Sequence, residues 1–223
     1  MVWSCFWHKM GTIKTWGYLE MEQQKHTLTQ TEYDDLVKSY QQALQIICVK
    51  LESLNEEYRA REFDYPVHNI QKRIKQKKSI EQKLLRQNKP VSVEDAKDSL
   101  MDIAGVRVIC YFKKDIYEIA DQIKRQTELI VLKERDYIRE PKANGYKSYH
   151  IVVGVPVCTV EGTEYYPVEI QLRTLGMDFW SSMEHRVCYK PCEDHRKNEN
   201  AAQVFEEIAD YVEQLEEVME QCV

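Results

Sequence analysis

MDIAGVRVICYF, Met101 to Phe112, decides the fold: an acid and a glycine lead into an unbroken apolar, β-branched run that carries a single arginine. Val106, Val108, Ile109, Cys110, Tyr111 and Phe112 are strand-prone, and a continuous apolar run of this kind predicts a central strand covered on both faces. Asp102 then stands at the mouth of the strand beside Gly105, where backbone or ligand can come close, and a carboxylate there is suited to holding a divalent cation. Arg107 needs a carboxylate, a phosphate or an aromatic plane to face, because an unpaired buried guanidinium is costly. A plainer reading has Asp102 cap the preceding segment and pair with Arg107 on an exposed face. A second carboxylate-bearing strand, YYPVEIQLRT, and a basic helix upstream weigh against it.

Downstream, Ile116, Ile119, Ala120 and Ile123 recur at helical spacing and predict a helix from about Lys114 to Gln126, followed by a strand in ELIVLKERDYI. REPKANGYKSYH reads as a loop entering the strand SYHIVVGVPV, and Glu161-Gly162 as the turn of a hairpin into TEYYPVEIQLRT. Alternation in that last strand sets Val168, Ile170 and Leu172 on one side and Glu169, Gln171 and Arg173 on the other. Two helices close the chain. Met177, Phe179 and Met183 on the first are expected in the core; on the second, Val204, Ile208, Val212, Leu215 and Val218 are expected to face inward.

Upstream, Ser92 and Asp95 form a capping box for a short helix that delivers the chain to Asp102. Before it, eight basic residues lie between Lys72 and Lys89 against one acid, Glu81. Read as a helix, Lys75, Ser79, Lys83 and Arg86 share one face suited to phosphates, beside an apolar stripe of Ile80 and Leu84. A solvated face or a nonspecific RNA-binding patch is the plainer alternative. Earlier still, Leu36, Tyr40, Ala43, Leu44, Ile47, Cys48, Leu51, Leu54 and Tyr58 predict one long amphipathic helix, with Thr31 and Asp34 in capping-box positions. Residues 1–28 show no periodicity and read as an irregular N-terminal arm.

The 223 residues, 43% of them hydrophobic, are enough for one sizeable core, and no run reaches the roughly 18 apolar residues of a membrane span. The start has no secretory pattern, and seven cysteines without metal-like pairing fit reduced thiols, so a cytoplasmic protein is expected. The spacings of Cys188, Cys192, His185 and His195 miss the usual zinc patterns. A net charge of −6 makes the whole chain a poor generic nucleic-acid binder.

Two carboxylates, Asp102 and Glu169, would repel a nucleotide on their own. A magnesium ion shared between carboxylates, water and phosphate oxygens resolves this, so the set suits phosphoryl or nucleotidyl transfer. Lys142, Asn144, Gly145 and Tyr146 add a cation and a ring that could stack a base. No GxxxxGKS or GxGxxG loop is present.

The series RIKQKKSIEQK, DIAGVR, GYKSYH, VEIQLRT and MDFWSSMEH resembles the synthetase domain of the RelA/SpoT family, specifically its small stand-alone alarmone synthetases, from about Asn69 to Lys190. The resemblance implies an α/β fold with a mixed five-stranded sheet flanked by helices, related to nucleotidyltransferases. It implies transfer of the ATP β,γ-pyrophosphate to the 3′-hydroxyl of GDP or GTP, releasing AMP and giving (p)ppGpp. Asp102 would be the Mg2+ ligand and Glu169 a second ligand or the general base. Arg73 and Arg107 would sandwich the adenine; Lys75, Ser79, Lys83 and Arg86 would hold the ATP phosphates. Tyr146 would stack on guanine, with Lys142, Asn144, His150 and Gln171 around the acceptor. The hydrolase domain of the long members has a His-Asp motif, and none of the six histidines here precedes an aspartate, so synthesis without hydrolysis is expected.

The domain reading is an arm over 1–28, a synthetase domain over 29–190 and a C-terminal amphipathic helix over 191–223 for oligomerisation, with a homotetramer implied by the resemblance. Two rival functions are a nucleotidyltransferase that releases pyrophosphate and a non-catalytic RNA-binding regulator built on a 72–89 helix.

Overall fold

The computed structural model describes residues 27–62, 66–189 and 201–222, with the side chains at 62, 188, 189, 201 and 202 excepted. The N-terminal arm up to residue 26 and the Cys188, Cys192 and His195 group therefore lie outside what is described. The chain divides into two compact units, one comprising residues 27–33 and 77–100 and the other the rest of the described chain.

The larger unit is built on one sheet. Its strands are β1 (Val67–Ile74), β2 (Ala104–Cys110), β3 (Ile130–Asp136), β4 (Tyr149–Thr159) and β5 (Gly162–Thr174), in the order β1-β2-β5-β4-β3. β2 and β5 run parallel and the other neighbours antiparallel, which makes the sheet mixed, as expected. The turn at Glu161-Gly162 joins β4 to β5, and Gly162 has φ +132°, a conformation that glycine adopts without strain.

One face of the sheet is apolar. Val106 and Val108 of β2, Val168, Ile170 and Leu172 of β5, and Ile151 and Val153 of β4 are all buried on it. The helix α1 (Gln30–Glu62) begins in the smaller unit, and its stripe from Leu36 to Leu51 is buried. Tyr40 of α1 meets Tyr166 of β5 edge to face, ring centres 5.2 Å apart. Ile116, Ile119, Ala120 and Ile123 of α4 (Lys113–Lys124) are buried as well, so helical and strand periodicities supply the two halves of one core. The α1 cap sits one turn-step earlier than the spacing suggested: Glu32 accepts from the Thr29 backbone N–H at 2.7 Å, while the Thr29 hydroxyl accepts from the Glu32 N–H at 3.2 Å.

Two short helices belong to the smaller unit, α2 (Lys77–Arg86) and α3 (Val93–Ser99). Ser92 caps α3 by accepting from the Asp95 N–H at 3.0 Å, as read from the sequence. Leu28, assigned to the irregular arm, is instead buried; its N–H donates to Glu81 at 3.0 Å and its carbonyl accepts from Lys77 at 2.6 Å.

The basic stretch is not one helix. Lys72 and Arg73 lie on β1, Lys75 on the connector, and α2 starts only at Lys77. Antiparallel pairing with β2, Gln71 opposite Arg107 and Arg73 opposite Gly105, holds Lys72 and Arg73 in a strand, while Ser79, Lys83 and Arg86 keep their helical spacing on α2.

Helix α5 (Leu175–Glu184), continued by a π turn over His185–Tyr189, follows β5, and α6 (Ala201–Glu220) packs against it. Their buried faces differ from expectation. Met177 and Trp180 are buried on α5, while Phe179 is 58% exposed and Met183 is exposed too. On α6, Ile208 packs on the buried cluster and Val212 is half-buried, as expected, but the fully buried residues are Phe205 and Ala209, and Val204, Leu215 and Val218 are exposed. The Trp180 indole fixes this rotation by donating to the Phe205 carbonyl at 2.7 Å. Among the described residues no helix is long and apolar enough to cross a membrane.

Candidate active site

The second face of the sheet is polar because every second residue of β1, β2 and β5 points there. Residues paired in register share a face. One ladder crosses Gln71, Arg107, Gln171 and His150; the next crosses Arg73, Gly105, Glu169 and Val152. The even-numbered side of β2 is buried in the core, while on its odd-numbered side the start of the helix after β5 reaches Arg107 through Asp178. On that same side the bare Gly105, with Arg73 opposite it on β1 and Arg107 two residues along β2, floors a cavity of about 340 Å3 that Asp102, Glu169 and Gln171 also line.

Asp102 sits two residues before β2, where the chain leaves α3, and Lys75 Nζ approaches its Oδ2 at 2.5 Å, both side chains largely buried. Lys75 is itself anchored by its N–H to the Ile103 carbonyl at 2.8 Å. Glu169 accepts from Gln171 Nε2 at 2.9 Å and lies 3.4 Å from His150 Nδ1. Burial pushes its carboxyl upward, but the His150 contact and the Gln171 amide outweigh this and hold it below the usual glutamate range, with the Asp102 charge opposing.

Beyond Glu169 the polar face becomes aromatic. Tyr146 Oη lies 2.8 Å from His150 Nε2 and accepts from Arg173 Nη2 at 2.8 Å. Lys142 Nζ stands 4.5 Å from the Tyr146 ring centre and 4.8 Å from that of Tyr137. Asn144 accepts from the Tyr146 N–H at 3.3 Å and donates to Glu184 at 3.4 Å. Gly145 allows the turn, with φ +85°, and a Cβ there would come 2.8 Å from the Ala209 side chain of α6.

Most of the residues singled out from the sequence are brought together. Arg73, Lys75, Asp102 and Arg107 form one group, Lys142, Asn144, Tyr146, His150 and Gln171 another, and Glu169 stands between them. Ser79, Lys83 and Arg86 lie along one side of α2, in the smaller unit. Sequence reasoning assigned no role to Arg173, Asp178 or Tyr137. Arg173 is 3% exposed and donates to Ser148, Asp178, Tyr146 and Gln171. Its place on the polar side of VEIQLRT was the available signal; the partner Asp178 stands in MDFWSSMEH, one of the stretches that carry the resemblance, but nothing in that stretch names Arg173 or Arg107 as its partner.

Residues 72–194 match the region found in RelA / SpoT proteins. The chain belongs to the RelA/SpoT family. Among curated relatives of this RelA/SpoT chain, the GTP pyrophosphokinase YwaC of Bacillus subtilis is 36% identical over 180 residues, 81% of this chain and 85% of that protein. Small alarmone synthetase 1 of Bacillus subtilis bound to its product pppGpp superposes with a TM-score of 0.77 at 31% identity, covering 85% of this chain and 95% of that one. The same protein bound to AMPCPP gives a TM-score of 0.72 at 28% identity over 86% and 96%. The RelA/SpoT fold here is a five-stranded mixed sheet flanked by helices.

Proposed function

We propose that this chain is a GTP pyrophosphokinase that transfers the β,γ-pyrophosphate of ATP to the 3′-hydroxyl of GDP or GTP, releasing AMP and giving (p)ppGpp, with Mg2+ as cofactor. The observation that carries this is the single polar sheet face on which Asp102, Arg73 and Arg107 adjoin Lys142, Tyr146 and His150, with Glu169 between the groups. Relatives named GTP pyrophosphokinase, and a small alarmone synthetase bound to pppGpp, support the same reaction.

The donor set fits Mg2+. Among the described residues no cluster of three or more His, Cys, Asp or Glu could cage a metal. Magnesium commonly takes one or two carboxylates and completes its shell with water and phosphate oxygens, and Asp102 and Glu169 line one cavity. When bound there it would neutralise phosphate charge and act as a Lewis acid.

The chain's own residues do the rest. Arg73 and Arg107 flank the bare Gly105 and take the adenine between two guanidinium planes. Lys75 lies against Asp102 within reach of the phosphates; Ser79, Lys83 and Arg86 are assigned to the phosphates by the family resemblance and share one side of α2. Tyr146 offers its ring to guanine, and Lys142, now resting on that ring, turns toward the acceptor phosphates with Asn144 and Gln171 beside it. Glu169, ionised under His150 and Gln171, accepts the proton of the 3′-hydroxyl. The 3′-oxygen forms its bond to the β-phosphorus as the bond from that phosphorus to the α,β-bridging oxygen breaks, and that oxygen leaves on AMP. Positioning and charge neutralisation account for most of the rate.

The exposed apolar residues of α5 and α6 support a homo-oligomer, for which the resemblance suggests a tetramer, in the cytoplasm. The synthetase domain spans 29–190, and the 191–223 segment contributes both to that assembly and to the acceptor side through Phe205 and Ala209.

Purified protein incubated with Mg2+, ATP and GDP or GTP is resolved by anion exchange. AMP with a matching tetra- or pentaphosphate, reduced by about 10²–10⁴-fold in Glu169→Gln, is expected. Pyrophosphate release in place of AMP would instead mean nucleotidyl transfer.

A further inference from the structure

Arg107 and Arg173 belong to different strands and to different nucleotide groups, and each needs a negative partner. Arg107 Nη1 reaches Gln71 Oε1 at 3.5 Å, while its Nε is buried with no hydrogen-bond partner among the described residues. Arg173 is almost wholly buried, and its neutral partners Ser148, Tyr146 and Gln171 cannot compensate its charge. Both guanidinium groups converge on one atom. Asp178 Oδ1 lies 3.0 Å from Arg107 Nη1 and 3.2 Å from Arg173 Nη1, and the Asp178 side chain is 16% exposed.

Asp178 is held in the first turn of α5, where Thr174 caps the helix by accepting from the Met177 N–H at 3.1 Å. A carboxylate at a helix N-terminus is favoured there, so its position is set by backbone and not by its arginine partners alone. Burial, then the nearby Arg173 charge, hold the Arg107 pKa below its usual value, and Asp178 opposes both. From Arg173 the contacts run on to the Tyr146 hydroxyl, and from there to His150 and Glu169.

We propose that Asp178 is a positioning residue for both nucleotide subsites at once: a single carboxylate oxygen aims Arg107 at the donor base and, through Arg173, fixes the Tyr146 ring for the acceptor base. This rests on the pyrophosphokinase reading above. Without its charge the two guanidinium groups repel each other across the gap, and both recognition surfaces lose their orientation together. A residue serving one subsite would disturb one nucleotide only.

Steady-state kinetics of Asp178→Asn test it. KM for ATP and for GDP should each rise about tenfold, the scale of one lost charge-assisted hydrogen bond, with kcat within about threefold of the parent. Asp178→Glu, which keeps the charge, should restore most of both. In an Arg107→Ala background the effect of Asp178→Asn on KM for ATP should vanish while its effect on KM for GDP persists. A rise for one nucleotide alone, equal damage by Asn and Glu, or unchanged KM values would overturn the proposal. Should Asp178→Asn not fold, Asp178→Glu is read alone, with a rise of about threefold expected for both nucleotides and a rise for one taken as refutation. Calorimetric titrations with a nonhydrolysable ATP analogue and with GDP give the same comparison as dissociation constants. A parent protein that binds both nucleotides but makes no AMP therefore defeats the pyrophosphokinase reading and leaves the Asp178 outcome legible.

Discussion

Glu169 is ionised because of what touches it, not because it is solvated. Burial raises its carboxyl pKa, and the His150 contact, followed by the Gln171 amide, more than reverses that. A carboxyl lowered in the fold is charged above the ordinary range near 4.3 and loses its proton-accepting form only as pH falls through the lower folded value. The acid limb of kcat/KM should therefore lie below that of an ordinary glutamate. In His150→Ala burial is left less opposed and the limb should move to higher pH; an unmoved limb would show that His150 does not set the ionisation of Glu169. Gly105 is a residue of the same kind, simple in the fold and exacting in the site. A Cβ there would meet the Glu169 carbonyl at 3.7 Å and the Arg73 carbonyl at 4.0 Å, ordinary contacts that the strand tolerates. Gly105→Val should fold with an unchanged melting temperature and raise KM for ATP by about tenfold or more, because the isopropyl group occupies the floor between the two arginines.

At the scale of elements, α6 is a brace for the loop that carries Asn144, Gly145 and Tyr146. It packs Phe205 and Ala209 on Trp180, with Tyr146 against the same cluster, and Glu213 joins Lys147 at 2.5 Å and Lys113 at 3.3 Å. Gly176 of α5 lies close against α6: a Cβ would fall 2.5 Å from Glu216 Oε1 and 2.7 Å from the Val212 side chain. Glu216 accepts from the Thr174 hydroxyl, yet burial lifts its carboxyl pKa above the usual range. A carboxyl raised in the fold favours the protonated form, so its contribution is present at low pH and is lost as pH rises through the folded value. Glu216→Gln should thus raise the melting temperature at pH 7 and lose that advantage below about pH 4, where the parent is protonated too. Thermal melts at the two pH values check this, and a variant less stable at pH 7 would mean that the charge is wanted, through Lys113 and Lys147.

For the whole molecule, large apolar side chains among the described residues are exposed on the last two helices and also along β3, at Ile130, Val131 and Leu132. Leu175, Phe179, Met183 and Val187 recur every four residues along α5 and its π turn, and Tyr211, Leu215, Val218 and Met219 are exposed on α6, Leu215 at 60%. On the two helices these side chains support the assembly proposed above. Light scattering at micromolar concentration should give a mass above that of one chain, and Phe179→Asp with Leu215→Asp should lower it. A single-chain mass for the parent would remove the assembly proposal while leaving the pyrophosphokinase reading intact.

What the sequence determined by itself is what is local. Alternation along VEIQLRT is enough to separate Glu169, Gln171 and Arg173 from the core, because the strand period is a property of the backbone. The same holds for the stripe of α1 to Leu51 and the strand after Asp102. Tertiary structure decided the rest. The basic run from Lys72 to Lys89 reads as one helix, yet its first residues are a strand because β2 supplies an edge to pair with, and the partner edge lies some 30 residues away in the chain. The inward faces of α5 and α6 follow from where Trp180 meets Phe205, which no periodicity within either helix encodes. Arg107 asked for a negative partner from the beginning; that it is Asp178, shared with Arg173, depends on how β2, β5 and the start of α5 converge in space.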